Sequence, residues 1–165
     1  MKRNLFILLI GLMTAGLAAQ TGIFGLYFDA PRDSALAILE GQNFEVTSTE
    51  DNILYLSLAD AKYVNHIELR FNAGTNTLDE WYVAYKYQAE EDIEDIALDA
   101  VKSYNDEPSS YNEADDEYTW DLTETRYIVT GYDPENSLYW VEYRSTDYDE
   151  VEGYYSDEDE YWEDW

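Results

Sequence analysis

Between Glu90 and Tyr104 the apolar residues Ile93, Ile96, Ala97, Ala100, Val101 and Tyr104 recur three and four positions apart, with acids between them. That spacing predicts a helix over Glu90–Tyr104, ended by Asn105 and Pro108, with an apolar stripe on one side. Such a stripe needs another layer to lie on. The flanking sequence offers one, because Tyr118–Thr123, Thr125–Tyr132 and Ser137–Ser145 alternate apolar and polar residues in the manner of strands. Asp133-Pro-Glu-Asn136 reads as the turn between the last two.

The first half of the chain repeats that order. In Phe28–Gly41, Asp29 is a candidate helix cap, Pro31 suits a first turn, Ala35, Ile38 and Leu39 share a face, and Gly41 supplies a stop. Strand-like runs follow at Phe44–Ser48, Asn52–Leu58, Val64–Phe71 and Leu78–Gln88, with Asn72–Thr77 as a hairpin loop. Short connections make the sheet antiparallel. The expected fold class is therefore α+β: an antiparallel sheet with two helices packed on one face, in two tandem α-then-β units. The units are placed at about residues 22–88 and 89–146 of a single domain spanning 20–146.

Met1–Gln20 has Lys2 and Arg3, then an apolar run from Leu5 to Met13, then Ala15, Gly16, Ala18 and Ala19. This is the order of a secretory signal peptide, with residues 1–19 removed after Ala18 or Ala19. The apolar run is shorter than the ~20 residues that span a bilayer. The expected location is secreted or periplasmic. With no cysteine, a lipid anchor, a disulfide framework, a thiolate zinc site and a thiol nucleophile are all excluded.

The segments Gly22-Ile-Phe-Gly-Leu-Tyr-Phe28 and Gly41-Gln-Asn-Phe44, with the helix between them, resemble the start of small secreted bacterial domains of β-lactamase-inhibitor-protein-like architecture. These include the small outer-membrane assembly lipoproteins. Tyr104-Asn-Asp-Glu-Pro108, Trp120 and the Tyr-rich hairpin after it are similar to the second half of such tandem units, so the likeness covers Gly22–Ser145. The resemblance implies a helix-backed sheet whose open face meets another protein.

Charge narrows the partners. With 9 Lys+Arg against 37 Asp+Glu and a formal net charge of -28, the chain would repel nucleic acid. The same excess can serve solubility or adaptation to salt. Alternation puts Trp81, Val83, Tyr85 and Tyr87 on one side of their strand, with Tyr82, Ala84 and Lys86 on the other. It likewise sets Tyr139, Val141 and Tyr143 opposite Leu138, Trp140, Glu142 and Arg144. Aromatic residues are good strand formers as well as good contact residues, so rings on both sides have two explanations. The candidate binding surface is Trp81, Tyr85, Tyr87, Tyr139, Trp140 and Tyr143, for a protein partner or, alternatively, a polysaccharide stacked on exposed Trp and Tyr.

Asp147–Trp165 is acidic and aromatic, with no base. Its charge density predicts an extended tail, able to dock on a basic partner. Asp147, Asp149, Asp157 and Asp159 are Ca²⁺ candidates, but Val151 and Gly153 break the calcium-loop spacing. No other cofactor is expected. No catalytic residue stands out: the single histidine, His66, falls on a solvent-facing strand side with Glu68 and Arg70, and no Gly-x-Ser-x-Gly turn is present. A carboxylate-dependent hydrolase remains the remaining alternative, since abundant acids make chance pairs inevitable.

Overall fold

The structure, a computed structural model, describes residues 21–86 and 92–146. The expected signal peptide, Tyr87, the acidic tail and the Ca²⁺ candidates Asp147, Asp149, Asp157 and Asp159 lie outside the described residues. A short 3-10 turn at Ile23–Gly25 leads to helix α1 (Arg32–Glu40). Strands β1 (Glu45–Glu50), β2 (Ile53–Ser57), β3 (Val64–Phe71) and β4 (Leu78–Lys86) follow. Helix α2 (Ile93–Lys102) then precedes β5 (Ser110–Asn112), β6 (Glu117–Asp121), β7 (Arg126–Asp133) and β8 (Leu138–Ser145).

The eight strands form one antiparallel sheet in the order β1-β2-β3-β4-β8-β7-β6-β5. Each half is thus a helix followed by a four-stranded meander, and the last strands of the two meanders pair in the middle. That seam is nearly symmetric: Val83 faces Val141, flanked by Trp81 opposite Tyr143 and Tyr85 opposite Tyr139. The helices echo one another, burying Ala35 and Leu39 in α1 and Ala97 and Val101 in α2, each pair one turn apart.

Both helix ends differ from expectation. Asp29 does not cap α1: the helix starts after Pro31, no side chain caps it, and the Asp29 carboxylate pairs with Arg126 instead. Its backbone, at φ 63°, turns the chain away from the helix before the first turn begins. Helix α2 starts later and ends earlier than the apolar spacing suggests. Asp92 caps it by accepting from the backbone N–H of Glu94 and Asp95, and Tyr104 falls beyond its end, 48% exposed. Asp92→Ala is expected to cost about 0.5–2 kcal/mol, measured by denaturant unfolding.

The buried apolar side chains of both helices belong to one cluster with Leu54, Leu56, Ile67, Leu69, Trp81, Val83, Ile128 and Val141. These strand residues alternate with the ones that face the other way. Ala84 and Val129 are also buried, but they point to the opposite side and stand outside that cluster. Both helices thus pack into one apolar cluster.

The middle of the cluster is aromatic. Trp81 stacks on Tyr143 at 4.1 Å between centroids, and Phe28 tilts against Trp81 at 4.8 Å. The Tyr143 hydroxyl accepts from the backbone N–H of Ile23, tying the N-terminal turn to the sheet. Tyr139 meets the hydroxyl of buried Thr130 at 3.1 Å. Burial raises the phenol pKa of Tyr85, Tyr139 and Tyr143 well above its ordinary value of about 10. The folded chain therefore holds these protons more tightly than the unfolded chain. Stability from this source is complete below about pH 10 and lost as pH rises through the raised values. Denaturant unfolding between about pH 9 and about pH 11.5 should show falling stability, with the part of the phenolate absorbance that belongs to Tyr85, Tyr139 and Tyr143 appearing only as the fold is lost.

Candidate functional site

The other side of the sheet is built from the alternate residues of the same strands. Across it runs a row formed by successive pairings, Tyr55, Glu68, Tyr82, Glu142, Val129 and Thr119. A neighbouring row is His66, Ala84, Trp140 and Gly131. Small residues alternate with large rings in this second row, and Gly131 makes room for Trp140. A Cβ added at Gly131 would stand 2.6 Å from Trp140 Cζ2 and 2.9 Å from Cε2. The six-membered ring of the indole thus occupies the space a side chain at 131 would need.

Three rings form a continuous series on this face. Tyr82 lies 6.2 Å from Trp140 at an interplanar angle of 23°, and His66 lies 5.8 Å from Tyr82. All three are partly exposed. His66 Nε2 is 3.2 Å from Glu68 Oε1 and its Nδ1 is 3.3 Å from Asn65 Oδ1, so both ring nitrogens have partners.

Ion pairs frame the rings. Arg70 donates to Glu80 across β3 and β4. Arg144 Nε donates to Glu142 Oε2 at 2.7 Å along β8. Burial raises the pKa of the Glu80 carboxyl, with Arg70 acting in the opposite direction. The Tyr82 phenol is pushed up to about 12, first by burial and then by the negative charge of Glu68, Asp133 and Glu142. Tyr82 therefore stays a neutral hydrogen-bonding phenol at any physiological pH.

The structure divides the surface expected from sequence. Trp81, Tyr85, Tyr139 and Tyr143 are 1%, 3%, 2% and 1% exposed, so they belong to the core and cannot meet a partner. Their strand sides were legible; which side faces the helices was not, because both carry rings. Of the five candidates among the described residues, Trp140 alone reaches the open side. Tyr82 and His66 complete the series, and the signal for them was their alternation with Trp81 and Ile67.

Elsewhere, a cleft of about 450 Å³ lies beyond the end of α2, lined by Lys102, Tyr104, Asp106, Glu107, Trp120 and Asp121 among others. Within its lining, Trp120 Nε1 donates to the Asp106 carbonyl at 2.8 Å. Its Glu107 is 81% exposed and pairs with Lys102 at 3.0 Å. Among the described residues, no three His, Asp or Glu side chains are grouped to hold a metal ion, and no helix is long and apolar enough to cross a membrane. Comparison with protein-family models, with curated proteins and with solved structures finds no match.

Proposed function

We propose that the chain is an exported, non-catalytic binding domain that holds a protein partner on the open side of its sheet, around Trp140, Tyr82 and His66. The observation that carries this reading is the aromatic series itself. It stands on the side away from the core cluster, with Gly131 leaving the Trp140 ring room to lie against the sheet. Aromatic and arginine side chains dominate binding energy at protein interfaces, and Arg70 and Arg144 flank the rings. The signal-like N-terminus and the resemblance to β-lactamase-inhibitor-like domains support an exported location and a sheet used for contact.

The test is a pair of variants. Trp140→Ala and Tyr82→Ala should each lower affinity for the partner by about thirty-fold or more, the effect of removing an interface hot spot of about 2 kcal/mol. Thermal unfolding should show both variants folded. Unchanged affinity in both would exclude this face. Binding of a soluble polysaccharide that quenches tryptophan fluorescence, lost in Trp140→Ala, would assign the face to carbohydrate instead.

A further inference from the structure

The charge of the molecule is unevenly placed. The chain has four acids for every base, yet the open side of the four central strands is close to parity. Glu68, Glu80, Glu142 and Asp133 stand there with Arg70, Lys86, Arg144 and the single histidine, His66. Glu80 and Glu142 are held in pairs with Arg70 and Arg144, so their charge is locally neutralised. Further acids stand around the face. One lateral edge of the sheet is β1, where Glu45 and Glu50 are exposed and Asp51 follows. The other edge is the β5–β6 hairpin with Glu113, Asp115, Asp116 and Glu117. Glu135 and Glu124 mark the turns at the ends of β7.

A near-neutral aromatic centre inside an acidic rim divides the work of association in two. Fully desolvated charge at the centre would oppose contact, and there Glu80 and Glu142 are paired. Rim charge stays solvated and acts at a distance, raising the rate of encounter with an oppositely charged surface by about 10–1,000-fold. We infer that the partner is a basic folded protein, with lysine and arginine around an apolar or aromatic patch that seats on Trp140 and Tyr82. A second copy of this chain does not fit, because the two acidic rims would meet like against like. This inference rests on the open-face reading above and adds the chemistry of the occupant.

The full chain is used as bait against the envelope and secreted proteins of its native host, and the captured protein is purified. Association and dissociation rates are then measured at about 0.05 and about 0.3 M salt. The expected result is a basic protein whose association rate falls at least about ten-fold with salt while dissociation changes little. Replacing rim acids together (Glu45→Gln, Glu50→Gln, Glu113→Gln, Glu135→Gln) should slow association at low salt. Trp140→Ala should speed dissociation. A partner that is neutral or acidic, or whose association ignores salt and the rim variant, overturns this inference; if it still responds to Trp140→Ala, the open-face reading survives. No capture, or capture indifferent to Trp140→Ala, overturns the open-face reading as well.

Discussion

Trp81→Ala is expected to cost about 3–5 kcal/mol of folding stability, a large part of the 5–15 kcal/mol typical of a domain. The ring is 1% exposed and wedged between Tyr143 and Phe28 at the seam of the two halves. Its indole N–H has no hydrogen-bond partner among the described residues. The loss on truncation is therefore one of packed ring volume and of stacking, with no hydrogen bond to add. Trp81→Phe should accordingly recover most of the stability. Trp140→Ala should cost far less, because the ring is partly exposed on the other side. Urea unfolding of the three variants checks the order. Equal losses at 81 and 140 would contradict the assignment of the two sides.

Gly22→Ala is expected to destabilise by about 1–3 kcal/mol, the range for forcing extra volume into a packed core. A Cβ at position 22 would stand 2.5 Å from Tyr143 Cε1 and 2.7 Å from Trp81 Cζ2. Both atoms belong to rings stacked on one another, so neither can swing aside. The N-terminal segment must lift instead, and the bond from Ile23 N–H to the Tyr143 hydroxyl goes with it. Tyr143→Phe deletes the hydroxyl's bonds to the Ile23 N–H and to the Asn105 side chain without adding volume, at about 0.5–1.5 kcal/mol each, and so separates the two effects. Equilibrium unfolding gives both values. A neutral Gly22→Ala would show that the turn does not rest on the rings.

The periodicities of this chain carried most of its architecture. Alternation placed β3 at the observed residues Val64–Phe71, and it separated Trp81, Val83 and Tyr85 from Tyr82, Ala84 and Lys86 as the sheet does. The spacing in α2 located the helix, and Ile93, Ala97 and Val101 are its buried residues. Three things were not legible. Strand β5 is three exposed residues, too short and too polar to show a period. Asp29 has the chemistry of a cap, but a tertiary ion pair with Arg126, distant in sequence, claims its carboxylate. The choice between the two aromatic sides depends on where the helices lie, and helix position is a property of the assembled core rather than of either strand. Gly131 was a readable hint, because glycine inside a strand marks a close approach, here by the Trp140 indole.

The central claim is that one side of this sheet is sealed by the core while the other is open to contact. Hydroxyl-radical footprinting with mass spectrometry of the full chain measures both sides at once. Oxidation of Tyr82, Trp140 and His66, with Trp81, Tyr85, Tyr139 and Tyr143 protected until the chain is unfolded, is the result expected. Protection of Tyr82 and Trp140 equal to that of Trp81 would contradict it, since the side proposed for binding would then be covered in the free protein.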